Sequence, residues 1–311
     1  MSKVTVIGAG AVGATCADAV ARMDIAKEVW LVDIKEGTAE GKALDLWQTA
    51  PILGFDTRLH GSTNDYEPTA GSDVIVITSG VPRKPGMSRD DLISINAKIV
   101  KTVTEEAVKY SPDAIIIVVA NPLDVMTYQA YLSAGLPSNK VMGMAGILDT
   151  ARYRAFLANE IGCSPKDIQA ILMGGHGDTM VPLPRYTKVA GMPVTDLVSE
   201  ERLDAIVERT KKGGGEIVKL LGTSGWYAPG TAAAQMVESI LLDQDRIFPV
   251  CSWLTGQYGI NDLYLGVPVR LGKGGIKEII ELELNEAETE LLNTSANAVR
   301  GVVEVLKGMD I

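Results

Sequence analysis

The stretch Lys3–Asp33, KVTVIGAGAVGATCADAVARMDIAKEVWLVD, decides the fold. It opens with a β-rich run, Lys3–Gly8, which leads into Gly8-Ala9-Gly10-Ala11-Val12-Gly13. A helical stretch, Ala14–Met23, follows, and a second β-rich run, Glu28–Asp33, ends in an acid 20 residues past Gly13. Three spaced glycines alone are a weak signal, but strand, glycines, helix, strand and terminal acid together spell a dinucleotide-binding βαβ unit. Gly8 permits a tight turn, Gly10 lets a pyrophosphate approach the backbone, and Gly13 lets the helix lie close on the sheet. The N–H groups at the helix N-terminus face the phosphates. Asp33 accepts hydrogen bonds from the adenosine ribose and repels a 2′-phosphate, so the unit predicts NAD rather than NADP. The competing reading is a glycine-rich turn beside a solvated acid.

Working outward, β-rich runs at Asp73–Thr78 and Ala114–Ala120 alternate with helical stretches around Glu36–Thr49, Asp91–Tyr110 and Leu123–Ala134. The strand-like runs are apolar without alternation, as strands covered on both faces require. They predict an α/β fold, a Rossmann doubly wound parallel sheet over residues 1–143, with the cofactor along the carboxyl ends of the strands. Asn121 stands just past one such end, where it can meet a nicotinamide or a reacting oxygen. Beyond residue 143 come helices at Leu148–Ile161, Glu201–Leu221, Thr231–Leu242 and Glu286–Lys307, mixed with strand-like runs at Ile168–Met173 and Lys277–Leu284. An α+β substrate domain over 144–311 is expected, packed directly on the first because no Pro- or Ser-rich linker divides them. Gly213-Gly214-Gly215 inside a helical pattern suggests a kink or break.

The 311 residues are 46% hydrophobic and 22% charged, with a net charge of -10, which fits a soluble globular chain of two domains. That acidity argues against nucleic acid or a membrane surface as partner, since both need a basic patch. An anionic substrate needs local arginines to reverse the field. No leader pattern opens the chain and no run reaches the roughly 18 apolar residues of a membrane span, so a cytoplasmic location is expected. Cys16, Cys163 and Cys251 are odd in number and widely spaced. That pattern fits reduced thiols and implies no metal site.

His176 is one of two histidines and sits in Met173-Gly174-Gly175-His176-Gly177-Asp178. Imidazole titrates near neutral pH, so His176 is the candidate proton carrier; a solvated loop histidine is the alternative. Asp149 and Arg152 are three residues apart at the start of a helix. They read either as a helix-start acid with a surface cation or as a carboxylate orienting His176 beside a guanidinium that clamps a substrate carboxylate. Ser79–Asp90 holds two prolines, two glycines and three cations, and is either a solvated loop or a lid bringing Arg83 and Arg89 over the nicotinamide.

In chain order, VTVIGAGAVG, VPRKPGMSRDDL, VVANPLDVMT, GILDTARYR and GGHGD resemble the lactate/malate dehydrogenase family over essentially the whole chain. Arg83 stands where family members acting on malate carry arginine and those acting on lactate usually carry glutamine. The resemblance implies reversible NAD-dependent oxidation of (S)-malate to oxaloacetate. It gives His176 the proton, paired with Asp149, and assigns Arg152 to the C1 carboxylate, Arg89 to the reacting carbonyl and Arg83 to the second carboxylate. Asn96 and Asn121 are expected at cofactor and substrate. The cofactor set is completed by Gly8, Ala9, Gly10, Ala11, Val12, Gly13, Asp33, Val119 and Ala120. Thr223–Gly230 is expected to line the pocket, with Gly225 facing the substrate. The resemblance also implies a role in the tricarboxylic acid cycle and a homo-oligomer, a tetramer in preference to a dimer. A lactate or other 2-hydroxyacid dehydrogenase remains the alternative within enzymes. A redox sensor without turnover would need the βαβ unit but not the histidine, acid and arginines.

Overall fold

The computed structural model describes residues 2–82, 88–309 and 311. Valine and isoleucine dominate β1 (Lys3–Ile7), in which every residue but Lys3 is buried, and α1 (Ala11–Arg22) follows it. The chain continues through β2 (Glu28–Asp33), α2 (Thr38–Trp47), α3 (Ala50–Leu53), β3 (Arg58–Thr63), β4 (Val74–Ile77), α4 (Arg89–Tyr110), β5 (Ile115–Val118), α5 (Leu123–Ala134) and β6 (Val141–Gly143). β4 and β5 are buried at every position, which is why they lack alternation. The six strands run parallel in the order β3-β2-β1-β4-β5-β6. Strand order reverses between β1 and β4, so a crevice opens at their carboxyl ends.

The glycines of the first turn fit their places sterically. Gly8 has φ +101, and a Cβ there would lie 2.8 Å from Thr78 Oγ1. A Cβ on Gly13 would lie 1.9 Å from the Gly8 carbonyl oxygen, so only glycine lets α1 pack this close to β1.

The second half contains α6 (Gly146–Ile161), β7 (Ile168–Gln169), β8 (Leu172–Met173), β9 (Val181–Pro182), β10 (Lys188–Val189), β11 (Met192–Pro193), α7 (Glu200–Leu221), α8 (Tyr227–Leu241), β12 (Arg246–Thr255), β13 (Asn261–Gly272), β14 (Gly275–Ile279) and α9 (Glu286–Lys307). β12, β13 and β14 form an antiparallel meander that joins β6 at the pair Cys251–Gly143, so one nine-stranded sheet crosses both halves. The seam is tight: a Cβ on Gly143 would lie 2.9 Å from Cys251 Cβ across it. The hydrophobic core is likewise continuous, running from Val6 and Ile117 to Val267 and Val303. No helix of the described residues is long and apolar enough to cross a membrane.

Several sequence expectations change. α7 runs unbroken through Gly213-Gly214-Gly215. Gly213 serves packing instead, because a Cβ there would lie 2.3 Å from Arg152 Cδ. The run Ile168–Met173 divides into β7 and β8, which belong to different small sheets. Glu36–Thr49 is shortened to α2, with α3 following as a separate turn that carries Pro51 at its start. β3, β6, β12 and β13 were not anticipated by the pattern of the sequence.

Candidate active site

β8 and β9 are joined by the loop that presents His176, and three successive backbone N–H groups of that loop are fixed by three different elements. Gly174 donates to Gly266 O on β13 at 2.8 Å, Gly175 to Ser295 Oγ on α9 at 2.8 Å, and His176 to Asp124 Oδ2 on α5 at 3.0 Å. The imidazole Nδ1 then meets Asp149 Oδ2 of α6 at 2.9 Å. A carboxylate there selects the tautomer that donates from Nδ1, which leaves Nε2 for the cavity side. Asp149 sits in the first turn of α6, where the helix N-terminus favours negative charge, and its side chain is only 3% exposed. Its other oxygen accepts from Arg152 Nη1 at 3.3 Å, and the same nitrogen reaches Thr210 O on α7 at 3.4 Å.

Burial pushes the His176 imidazole toward its neutral form, but the Asp149 carboxylate, by charge and hydrogen bond, and Asp124 more than offset this. The pKa is raised above the usual histidine value despite opposition from Arg152. The site therefore holds a histidine that stays protonated to higher pH than a free imidazole.

His176 and Arg152 open onto a cavity of about 670 Å3 at the carboxyl edge of the sheet, walled also by Val12, Asn121, Leu148 and Trp226. The segment from Ser224 to Pro229 contributes to its wall, with Gly225 on the lining. α8 begins at Tyr227, earlier than the pattern suggested, and Gly230 lets it rest on α1: a Cβ there would lie 2.7 Å from Thr15 Cβ.

The other end of the crevice suits a dinucleotide. Asp33 Oδ2 accepts from the Ala9 N–H at 2.7 Å and Oδ1 from the Lys35 N–H at 2.9 Å, which fixes the carboxylate at the end of β2. Lys42 Nζ donates to Ala9 O at 2.7 Å, so both sides of that peptide are held. A Cβ on Gly10 would meet no described atom within 4 Å, leaving open space over the turn. No described side chain caps α1, and its first turn carries no acid. Those are the conditions under which N-terminal N–H groups receive a phosphate. Val119 lies on the cavity wall, Ala120 and Ala9 are buried beneath the crevice, and Ala11 is exposed at the start of α1.

Two of the expected site residues, Asn96 and Arg89, are not among the described residues lining the cavity. Asn96 is buried with its amide already committed: Oδ1 accepts from the Val81 N–H at 2.8 Å, while Nδ2 donates to Val81 O at 3.2 Å and Asn121 O at 2.7 Å. Both donors are used within the protein, so Asn96 braces the loop after β4 against Asn121. Arg89 is the exposed first residue of α4, within a capping box made by Ser88 and Asp91, and Arg152 is the only arginine or lysine among the described lining residues. Arg83 lies outside the described residues. Sequence reasoning passed over Lys42, Asp124 and Ser295, and read Gly213 only as part of a kink. The only signal for Asp124 was its place in the first turn after Asn121-Pro122.

A dinucleotide turn and an acid-paired histidine that share one crevice define a pyridine-nucleotide-dependent dehydrogenase. The comparisons with known proteins narrow this. Residues 2–143 match the lactate/malate dehydrogenase NAD binding domain and residues 147–307 the lactate/malate dehydrogenase alpha/beta C-terminal domain. The chain belongs to the lactate/malate dehydrogenase family. It is 68% identical to the malate dehydrogenase of Cytophaga hutchinsonii over 99% of this chain and 98% of that protein. The solved malate dehydrogenase of Salinibacter ruber superposes with a TM-score of 0.95 at 58% identity, covering 98% of this chain and 97% of that one. A lactate dehydrogenase of Cryptosporidium parvum, solved with lactic acid and nicotinamide adenine dinucleotide, gives the same TM-score of 0.95 at 38% identity over 99% of both chains.

Proposed function

We propose that this chain catalyses the reversible oxidation of (S)-malate to oxaloacetate with NAD, as a homo-oligomer in the cytoplasm, a tetramer in preference to a dimer, serving the tricarboxylic acid cycle. The observation that carries the reading is the His176–Asp149 pair at 2.9 Å, opening with Arg152 onto the crevice beside the dinucleotide turn. NAD, when bound, supplies the hydride acceptor. His176 takes the hydroxyl proton of malate at Nε2, and Asp149 stabilises the imidazolium so formed. In the reverse direction the same proton returns to the carbonyl oxygen of oxaloacetate. Arg152 offers a planar fork to the C1 carboxylate, a geometry that lysine cannot reproduce. Asn121, on the cavity wall at the end of β5, is the contact shared by cofactor and substrate, braced from behind by Asn96. Arg83 and Arg89 are assigned by resemblance to the second carboxylate and the reacting carbonyl, and residues 1–143 and 144–311 to the NAD-binding and substrate domains.

The 68% identity to a malate dehydrogenase favours the dicarboxylate over the lactate-type reading that the Cryptosporidium structure represents. The test is nicotinamide absorbance with oxaloacetate and NADH in the unmodified enzyme and in His176→Asn. Turnover in the first, and NADH binding with turnover lost in the second, is expected. A His176→Asn enzyme of near-full activity refutes the assignment.

A further inference from the structure

We propose that Asp124 is a positioning residue for the proton-transfer step, its buried carboxylate fixing the backbone of the loop that presents His176 and giving the imidazole a second negative neighbour. The proposal rests on the reading of His176 as proton carrier. Asp124 occupies the first turn of α5, is 7% exposed, and uses both carboxylate oxygens inside the protein. Oδ2 accepts the His176 N–H at 3.0 Å, and Oδ1 accepts from Cys251 Sγ of β12 at 3.3 Å. A buried carboxyl is costly unless hydrogen-bonded. Here the donors are the catalytic residue's own backbone and a buried thiol, and the N-terminus of α5 supplies a favourable field.

The arrangement has a chemical logic. Burial leaves the Asp124 carboxyl above its usual range, and the His176 N–H bond, the imidazolium and the thiol limit that rise. The Cys251 thiol is itself held well above its usual pKa by burial and by Asp124, so it stays protonated and remains a donor. The charged and titratable groups facing His176 are then Asp149 and Arg152 from α6 and Asp124 from α5. Cys251 of β12 lies behind Asp124, and Glu216 of α7 on the cavity wall is held by Arg209 at 2.7 Å. Ser295, which anchors the loop from α9, is neutral. Two carboxylates therefore hold His176, Asp149 at the ring and Asp124 at the backbone. Asp149 orients; Asp124 anchors and adds charge.

Asp124→Asn separates the two functions, since the amide still accepts the His176 N–H but carries no charge. Expected in the intact enzyme is retained NADH binding with oxaloacetate kcat/KM falling off at lower pH than in the unmodified protein. The ratio of efficiency at pH 6 to that at pH 8 should rise at least about threefold, because a lost negative neighbour favours neutral imidazole. Cys251→Ala, which withdraws one donor from the carboxylate, should move the profile in the same direction by less. An Asp124→Asn profile that is lowered equally at every pH, or unchanged, overturns the proposal. If that variant does not fold, Cys251→Ala decides: an unshifted profile overturns the proposal. Failure of the underlying reading looks different, since it appears as activity in His176→Asn.

Discussion

Gly213→Ala sets two effects of known size against each other. Alanine in a helix interior is favoured over glycine by about 1 kcal/mol, and Gly213 lies well inside α7, so propensity alone predicts a more stable protein. The added Cβ, however, would lie 2.3 Å from Arg152 Cδ and 2.7 Å from Nε. These atoms are in the middle of the side chain, so the guanidinium has to leave its place between Asp149 and Thr210 O. A charge-assisted hydrogen bond to a substrate carboxylate contributes about 1.5 to 3 kcal/mol, so its loss lowers kcat/KM roughly 10- to 150-fold. Gly215→Ala is the control, because a Cβ there meets no described atom within 4 Å. It should raise Tm by about 2 °C and leave the kinetics alone. The assay is NADH oxidation by oxaloacetate beside thermal unfolding of both variants. Gly213→Ala with unchanged kcat/KM would show that Arg152 does not need the room and would refute the reasoning.

Two further outcomes follow from the site. Asp33→Ser should weaken NADH binding by about tenfold, through loss of a charged acceptor that also holds the Ala9 N–H, and should narrow the preference over NADPH, measured by titration with both cofactors. Because the His176 pKa is raised, the imidazolium that oxaloacetate needs persists above the usual histidine range and is lost as pH rises through that pKa. Oxaloacetate affinity should then fall by up to about tenfold per pH unit while malate affinity improves, and parallel trends for the two substrates would remove His176 from its role.

What was legible in the sequence was whatever local pattern enforces. The unit from Lys3 to Asp33 could be read because glycine spacing, apolar runs and the terminal acid are all short-range. The pairing of His176 with Asp149 was legible only as chemistry, since 27 residues separate them and residue types alone suggested the contact. The β12–β13 hairpin was missed because Pro249 interrupts a run that otherwise reads as strand, and proline argues against a central position. In the structure Pro249 lies opposite Pro268, so both missing donors fall at one rung. The triple glycine misled for the opposite reason. Local propensity predicts a break in α7, while the cause of Gly213 is a side chain on α6, which no local pattern contains. Asn96 shows the same limit: its partners lie 15 and 25 residues away, and only their placement reveals that the amide braces the loop after β4.

The central claim is that this crevice serves a dicarboxylate, and the most direct measurement is kcat/KM for oxaloacetate and pyruvate with NADH, in the unmodified enzyme and in Arg83→Gln. A site built to pair a second carboxylate rejects a substrate that lacks it, so oxaloacetate should be preferred by at least about a thousandfold. Removing the guanidinium should lower oxaloacetate efficiency about a hundredfold and leave pyruvate unaffected or improved. Pyruvate used as well as oxaloacetate by the unmodified enzyme, or a preference untouched by Arg83→Gln, would contradict the account.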